Sequence, residues 1–381
     1  MKRARPVSHG GAGGDDHETS PGRVYFYPHA YLRDRHLDRI RSWPRGFVLN
    51  PELGRNRIGA QVSSSGSLAK HVPAGTLLPV INLKPRPRGI PPDAVVYVCG
   101  ALMLTGPYIV ELDNPYALTR YNLKALPLYR RILRFLLLQE RCREIRCISE
   151  ACRDTLGAVL GREVYAKASV HYPPIVGTPA DRGDATEHCR FLFVSTQFEI
   201  KAGPTVLRAF REVHRQFPGA TLDVITHLPD AYGDLVVDCP AIRVHPARYT
   251  RDEIWKRFMQ NADVLVHPTF VESFGMVVLE GLAHGLAVIA TDVYALREMV
   301  KPGENGILIT PPLSVWDGNL PSRHYRELSS IKDRIRALDD RQLQADLIDA
   351  MTRFAADPGF RARAREASQQ LFRQRFAAEG R

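Results

Sequence analysis

Residues 264–291 read VLVHPTFVESFGMVVLEGLAHGLAVIAT, and this stretch predicts the fold of the C-terminal half. Its first four residues have the length and apolar character of a buried strand that ends at His267, and residues 287–291 form a second strand of the same kind. Apolar residues between them predict a helix over about 274–284. A strand, a helix and a second strand in this order are typical of a parallel α/β sheet.

The same alternation extends along the chain on both sides of this stretch. Residues 191–195 predict another buried strand, and apolar residues recur with a helical period over 204–215, where Pro204 suits the first turn. The predicted strands of this half lie at 191–195, 222–225, 264–267 and 287–291, and its predicted helices at 204–215, 251–260, 274–284 and 294–300. This order indicates a doubly wound parallel sheet.

The N-terminal half also has an α/β pattern, although residues 50–94 are dense in Pro, Gly and Arg and predict long loops. Predicted strands lie at 24–27, 95–98, 108–112 and 145–149. A helix is predicted over 127–143, and another begins near Glu150 with Ser149 as its N-cap.

The length of 381 residues suits two domains, since about 100–200 residues per domain is usual. Paired prolines after Tyr172 and a polar run to Glu187 predict the linker, with the boundary near 176. We therefore expect a flexible tail over 1–22 rather than a signal peptide, an N-terminal domain over 23–175 and a C-terminal domain over 176–355. Residues 356–381 predict an Arg-rich amphipathic helix that can pack back on the N-terminal domain.

Composition narrows the class of protein. Hydrophobic residues make up 44% and charged residues 24% of the chain, values that exclude a largely disordered protein. The net charge of +11 attracts nucleic acid, anionic lipid or phosphorylated small molecules without choosing among them. The six cysteines form no C-x-x-C pair, which predicts reduced thiols in a cytoplasmic protein, and no apolar run reaches the ~18 residues of a membrane span.

Two loops that each follow a strand and precede a helix are candidates for binding an anion. One carries Glu272 and leads into a helix near Phe274, where Gly275 lets a ligand approach the backbone. The other carries Lys201 just before the helix that begins at Pro204. Helix N-termini at the carboxyl edge of a parallel sheet stabilise a diphosphate without a metal. The alternative for Lys201 is a lysine that is simply solvated.

Glu280 lies in a helix so apolar that most of its faces should be buried. An ionised carboxylate is costly there unless a group donates hydrogen bonds to it, and the hydroxyl pair of a ribose is one such donor. The alternative is that Glu280 faces solvent or meets an internal arginine.

The segment from Phe191 to Pro312 resembles the donor domain of retaining, family 4-type glycosyltransferases, also known as glycosyl transferases group 1, of the GT-B fold. Glu272 through Glu280 is similar to the E-x7-E motif of that family, and the small-residue run 281–285, Glu298-Met-Val and residues 303–306 follow at the expected distances. The resemblance implies two Rossmann-like doubly wound domains that face each other across a cleft.

By this resemblance, Glu272 would contact hydroxyls of the transferred sugar, Glu280 the nucleotide ribose, and Lys201 the leaving diphosphate. Phe274 and Gly275 would meet the donor through their backbone amides. The remaining donor-binding positions that the resemblance implies are Thr196, Gly203, Ser273 and Met276.

Three departures from the family pattern affect the site. Thr196 stands where many members have an arginine, so one of two phosphate-binding cations is missing or comes from elsewhere. Residues 27–31 follow the first predicted strand, where the family often has a Gly-Gly loop. Asp113 follows a central strand where the family often has a histidine, and we expect it to contact sugar or acceptor; the alternative is that 113–115 is simply a turn.

The implied reaction is metal-independent and cofactor-free transfer of a sugar, with retention, from a nucleotide-sugar to a saccharide or lipid-linked acceptor, with no nucleic-acid partner. A GT-B epimerase, hydrolase or phosphorylase is an alternative, as is a basic nucleic-acid-binding protein; the absence of a G-x-G-x-x-G motif argues against a dehydrogenase.

The predicted helix over 127–143 can also lie on an anionic membrane at the inner face, or else pack on the sheet with a solvated basic face. Its arginines are Arg130, Arg131, Arg134, Arg141 and Arg143, around Leu133, Leu136, Leu137 and Leu138.

Overall fold

A computed structural model describes residues 24–27, 33–43, 47–48, 80–177, 187–322 and 331–377. Within these ranges the chain forms two six-stranded sheets whose strands are all parallel, one in each half. The predicted tail over 1–22, most of the loop over 27–31 and most of the loop-rich stretch over 50–94 lie outside the described residues.

The N-terminal sheet has the strand order β2-β1-β4-β6-β7-β8, and β3 pairs separately with β5. The strands are β1 (Val24–Phe26), β2 (Phe47–Val48), β3 (Leu83–Lys84), β4 (Val95–Cys99), β5 (Leu102–Met103), β6 (Tyr108–Leu112), β7 (Cys142–Cys147) and β8 (Ala168–Val170). The helices are α1 (Asp34–Ser42), α2 (Ala125–Leu138), α3 (Glu150–Leu160) and α4 (Arg162–Lys167). A 3₁₀ turn over Pro115–Thr119 precedes α2.

The predicted helix over 127–143 was too long, because α2 ends at Leu138 and Gln139 leaves helical geometry. Residues 142–147 pair with β6 as a strand, so Arg141 and Arg143 do not belong to the helix. The strand predicted over 145–149 ends at Cys147, since Ser149 caps α3 by accepting a hydrogen bond from the Cys152 amide. The predicted capping role of Ser149 is confirmed.

The C-terminal sheet has the order β11-β10-β9-β12-β13-β14, and β15 and β16 form a small antiparallel pair. The strands are β9 (Arg190–Val194), β10 (Thr221–Thr226), β11 (Ile242–Pro246), β12 (Val264–His267), β13 (Ala287–Thr291), β14 (Gly306–Ile309), β15 (Trp316–Asp317) and β16 (Leu320–Pro321). The helices are α5 (Gly203–Gln216), α6 (Asp234–Val237), α7 (Arg251–Ile254), α8 (Met276–Ala283), α9 (Leu296–Met299), α10 (Ile331–Arg336), α11 (Arg341–Ala356) and α12 (Pro358–Leu371). A 3₁₀ turn covers Asp230–Tyr232, and π-helical turns over Trp255–Met259 and Phe372–Phe376 extend α7 and α12.

The order of this sheet reverses between β9 and β12, which are the first and fourth strands of the sheet along the chain. In a doubly wound sheet, loops leave the strands in opposite directions at such a point and open a crevice at their carboxyl ends. The two loops that carry Lys201 and Glu272 follow these two strands. The topology therefore brings both predicted anion-binding loops to one crevice.

Buried contacts join the two halves. Asp38 of α1 is fully buried and accepts two hydrogen bonds from the guanidinium of Arg251, at 2.5 and 2.9 Å. Glu298 accepts hydrogen bonds from the first amides of α3, those of Glu150 and Ala151, at 3.0 and 2.9 Å. A carboxylate at a helix N-terminus compensates amides that have no partner within the helix.

The C-terminal helix packs mainly on α8, α11 and β13 of its own half. Its end reaches Tyr172, where Arg375 donates a hydrogen bond of 2.6 Å to the phenol oxygen and the Phe376 ring packs edge-on at 4.6 Å. Contact with the segment predicted as the N-terminal domain is thus made at this end of the helix. No helix among the described residues has the length and apolar character needed to cross a bilayer.

Candidate active site

A cavity of about 450 Å³ lies between the two halves at the crevice. Its C-terminal side is formed by the loops after β9 and β12 and by the start of α8, and its N-terminal side by the start of α1 and the ends of β6 and β7. The predicted site residues that line it are Asp113, Thr196, Lys201, Glu272, Ser273, Phe274, Gly275, Met276 and Glu280.

Gly203 does not line this cavity, although it was predicted to bind the donor. A Cβ atom at this position would lie 2.2 Å from the ring of Phe198. The absence of a side chain therefore serves the packing of Phe198 at the start of α5.

Lys201 and Glu272 form an ion pair in the cavity. The Lys201 ammonium donates hydrogen bonds of 2.8 Å to Oε2 of Glu272 and 2.8 Å to the carbonyl of Val271. The other carboxylate oxygen of Glu272 accepts from the amides of Ser273 and Phe274, at 3.1 and 3.4 Å. Glu272 is thus held by its own loop and by the cation of the neighbouring loop.

His267, the last residue of β12, completes this cluster and was missed by the sequence analysis. Its Nε2 atom lies 3.2 Å from Oε2 of Glu272. Burial lowers the pKa of His267 in spite of the carboxylate, so the ring is neutral and Nε2–H donates to Glu272. Burial would raise the pKa of Glu272, but Lys201 and His267 outweigh it and hold that pKa well below its usual range.

Glu280 lies on α8 at the cavity wall. Burial raises its pKa to about 7, against the opposing effects of the Arg251 guanidinium and the Trp255 side chain. The internal arginine that the sequence left open as a partner is therefore nearby, but its guanidinium hydrogen bonds go to Asp38. The carboxylate is poised between its two protonation states at neutral pH.

Asp113 faces the C-terminal side of the cavity from the end of β6. Its carboxylate accepts hydrogen bonds from the Asn114 amide at 2.9 Å and the Tyr121 hydroxyl at 3.1 Å. Asn114 also forms the predicted turn by accepting from the Tyr116 amide, and its side-chain amide donates to Ser273 across the cleft at 3.3 Å. Residues 113–115 therefore form the turn that was the alternative, and Asp113 also lines the cavity.

Arg33, Asp34 and Arg35 at the start of α1 also line the cavity and were not predicted. Arg35 is partly buried, and among the described residues its guanidinium forms no salt bridge. Burial lowers its pKa, but the carboxylates of Glu111 and Asp113 outweigh this effect and raise it. No local signal marked these residues, because they belong to the opposite half of the chain from the motif.

No group of three or more histidine, cysteine, aspartate or glutamate side chains with metal-binding geometry occurs in the parts of the chain that the structure describes. The expectation of metal-independent chemistry stays a prediction.

Comparison with known proteins agrees with this geometry. Residues 188–315 match the family model described as Glycosyl transferases group 1. A D-inositol 3-phosphate glycosyltransferase from Paenarthrobacter aurescens is 33% identical over 118 residues, which cover 31% of this chain and 22% of that protein. One from Salinispora arenicola is 32% identical over 180 residues, which cover 43% of this chain and 37% of that protein. The matched part of the chain spans well under half the length of these relatives.

The fold likeness extends further than the sequence likeness. Sucrose-phosphate synthase from Thermosynechococcus elongatus matches 74% of this chain and 69% of its own, with a TM-score of 0.50 at 14% identity. Two parallel Rossmann-like sheets on either side of a cleft confirm the expected GT-B fold. Residues 188–315 therefore match the model of group 1 glycosyl transferases, within a chain of GT-B fold.

Proposed function

We propose that this protein transfers a sugar from a nucleotide-sugar donor to a hydroxyl group of a saccharide or lipid-linked acceptor, with retention and without a metal ion. The observation that carries the proposal is one cavity that joins the Lys201–Glu272 pair, the start of α8 and Glu280 to Asp113 on the facing half. The six cysteines are free thiols, which supports a cytoplasmic location.

The donor would lie along the C-terminal side of the cavity. Glu280 would accept hydrogen bonds from the two ribose hydroxyls, which stabilise its ionised form in a partly buried position. The diphosphate would lie near Lys201 and the start of α8. Gly275, at the cap of this helix, has a φ of +97°, and a Cβ atom there would lie 2.5 Å from the Leu296 side chain, so glycine is needed for the backbone of the loop.

The reaction would break the bond between the anomeric carbon and the leaving phosphate oxygen and form one to the acceptor oxygen. Lys201 would stabilise the negative charge that develops on the diphosphate, and Glu272 would orient sugar hydroxyls. His267 is buried, neutral and already bonded to Glu272, so it is not available as a base. The leaving phosphate would therefore take the proton of the acceptor hydroxyl, which Asp113 would help to position.

Calorimetry with a panel of nucleotide-sugars that differ in base tests the donor site. Nucleotide-sugars with one particular base are expected to bind selectively. Their binding should be about tenfold weaker at pH 6 than at pH 8, because the Glu280 carboxyl, with a pKa of about 7, must lose its proton before it can accept hydrogen bonds from the ribose hydroxyls. Nucleotide-sugars suit this test because their diphosphate carries no free terminal phosphate that titrates in this range. Glu280→Gln should bind weakly at both pH values.

Two outcomes would contradict this donor site. One is equal pH dependence in the parent protein and Glu280→Gln; the other is no nucleotide binding together with steeply salt-dependent binding of an oligonucleotide, which would favour the nucleic-acid alternative. Proton NMR of the anomeric position then separates transfer with retention from hydrolysis or epimerisation of the donor.

Arg35 is proposed to supply the phosphate-binding cation that Thr196 cannot. The positive side chains lining the cavity are Arg33, Arg35 and Lys201, and Lys201 is already paired with Glu272. A diphosphate therefore needs charge from the N-terminal half, and Arg35, which forms no salt bridge with any described carboxylate, can provide it.

Arg35→Met is expected to weaken nucleoside diphosphate binding by about 10- to 100-fold, the effect of one charge-assisted hydrogen bond. Binding of the nucleoside without phosphate should change little. Arg41→Met is the matched control, because Arg41 lies on the same helix and is exposed. An equal loss for nucleoside and nucleoside diphosphate, measured by calorimetry, would refute the assignment.

A further inference from the structure

The outer face of α2 exposes apolar side chains. Leu128, Ile132 and Phe135 are 65%, 48% and 62% exposed, and their spacing places them on one stripe of the helix. The opposite face carries Leu126, Leu133 and Leu137, which are buried in the core. A helix of a soluble protein normally turns polar residues outward, so the exposed stripe indicates an interaction surface.

Three arginines lie together along one side of this stripe. Arg130, Arg131 and Arg134 line a shallow groove together with Phe135 and Leu138. Arg134 pairs with Glu163 at 3.1 Å, whereas Arg130 and Arg131 are exposed and form no salt bridge with described residues. The sequence from Ala125 to Leu138 has no acidic residue, so the surface is both apolar and positively charged.

This surface differs from the one that the sequence suggested. Leu133 and Leu137 pack inward, and Arg141 and Arg143 lie beyond the helix. The apolar side chains most available to a partner are those of the stripe, and of the leucines singled out from the sequence Leu138 lines the groove beside it.

The surface adjoins the acceptor side of the cleft. Tyr121, four residues before α2, is 45% exposed, and its hydroxyl donates to Asp113 in the cavity wall. A molecule held at the start of α2 is therefore next to the residue that we propose contacts the acceptor.

We infer that the outer face of α2, defined by Leu128, Ile132, Phe135, Arg130 and Arg131, docks on an anionic lipid bilayer, and that the acceptor is lipid-linked. Apolar side chains would enter the acyl boundary while the arginines contact anionic head groups. A second copy of the chain is a weaker match, since one helical stripe offers far less than the ~800 Å² per partner of a stable interface, and its arginines would repel one another. The acceptor assignment rests on the proposed function; the docking itself does not.

Flotation of the purified protein tests the docking, with vesicles of phosphatidylcholine alone or mixed with phosphatidylglycerol and no nucleotide present. Binding is expected only to the mixed vesicles. Leu128→Ser/Phe135→Ser and, separately, Arg130→Ala/Arg131→Ala should each weaken it by at least about tenfold, from lost apolar burial or from lost attraction to the anionic head groups. Val237→Ser is the matched control, because Val237 is 75% exposed and lies in the other half.

No binding to the mixed vesicles would overturn the inference, and so would binding that both variants retain. A concentration-dependent dimer that only Leu128→Ser/Phe135→Ser disrupts would assign the face to a second copy instead. Nucleoside diphosphate binding should be unchanged in every variant, which shows that each is folded. Because donor binding is measured separately, failure of the docking and failure of the proposed transfer are distinguishable.

Discussion

Replacing Lys201 by methionine is expected to lower the rate of sugar transfer by about 10²- to 10³-fold, the usual cost of removing one donor that stabilises charge in a transition state. The Lys201 ammonium is largely buried and is the one cation on the C-terminal wall of the cavity among the described residues. Its charge is worth most when the bond to the leaving diphosphate breaks, since charges interact more strongly in a largely buried position than in water. Initial rates of nucleoside diphosphate release measure the effect.

The coupling between Lys201 and Glu272 sharpens this test. The two side chains are 2.8 Å apart, so their effects should be strongly non-additive, and Lys201→Met/Glu272→Gln should be little slower than the worse single variant. Lys256→Met is the matched control, because Lys256 is exposed and does not line the cavity. A Lys201→Met rate within threefold of the parent would remove Lys201 from the proposed chemistry.

Asp38→Asn is expected to lower the free energy of unfolding by about 3–5 kcal/mol, the effect of breaking a buried ion pair. Asp38 is fully buried, and the Arg251 guanidinium that it holds also stacks over Trp255 at 4.3 Å. The substitution keeps the shape of the side chain but leaves the arginine without its counter-charge. Denaturant unfolding measures the change.

Replacing both partners separates charge from packing at this contact. Asp38→Leu/Arg251→Met should be more stable than Asp38→Asn, because it leaves no unpaired buried charge. Arg243→Met is the control: it breaks the more exposed pair with Asp223 and should cost under about 1 kcal/mol. If Asp38→Asn costs no more than Arg243→Met, the contact between the halves does not stabilise the protein.

The strands of the C-terminal half show what local sequence can predict. Val264–His267 and Ala287–Thr291 have the predicted bounds, because both are apolar runs buried on two faces of a parallel sheet. β11 and β14 were missed. Both are edge strands, and β11 carries polar residues that a strand with one open side tolerates.

The site residues also divide into those that local sequence could predict and those that it could not. Lys201, Glu272 and Glu280 could be singled out because each lies in a strand-loop-helix segment whose pattern is local. His267 ends a buried strand at the correct edge, and that position was the available signal for it. No local signal in the sequence marked Arg35, since its place opposite Lys201 depends on how the two halves meet.

The sequence alone determined the α/β class, the two candidate anion-binding loops and the residues at their tips, because periodicity, turn residues and helix starts act over about ten residues. The tertiary structure alone decided what faces these loops: Arg35 and Asp113 across the cavity, Asp38 against Arg251, and Glu298 at the start of α3. Asp38 and Arg251 are 213 residues apart, and Glu298 and Glu150 are 148 apart. No local pattern encodes such pairs, since they form only when two separately patterned sheets pack and their buried charges must find partners.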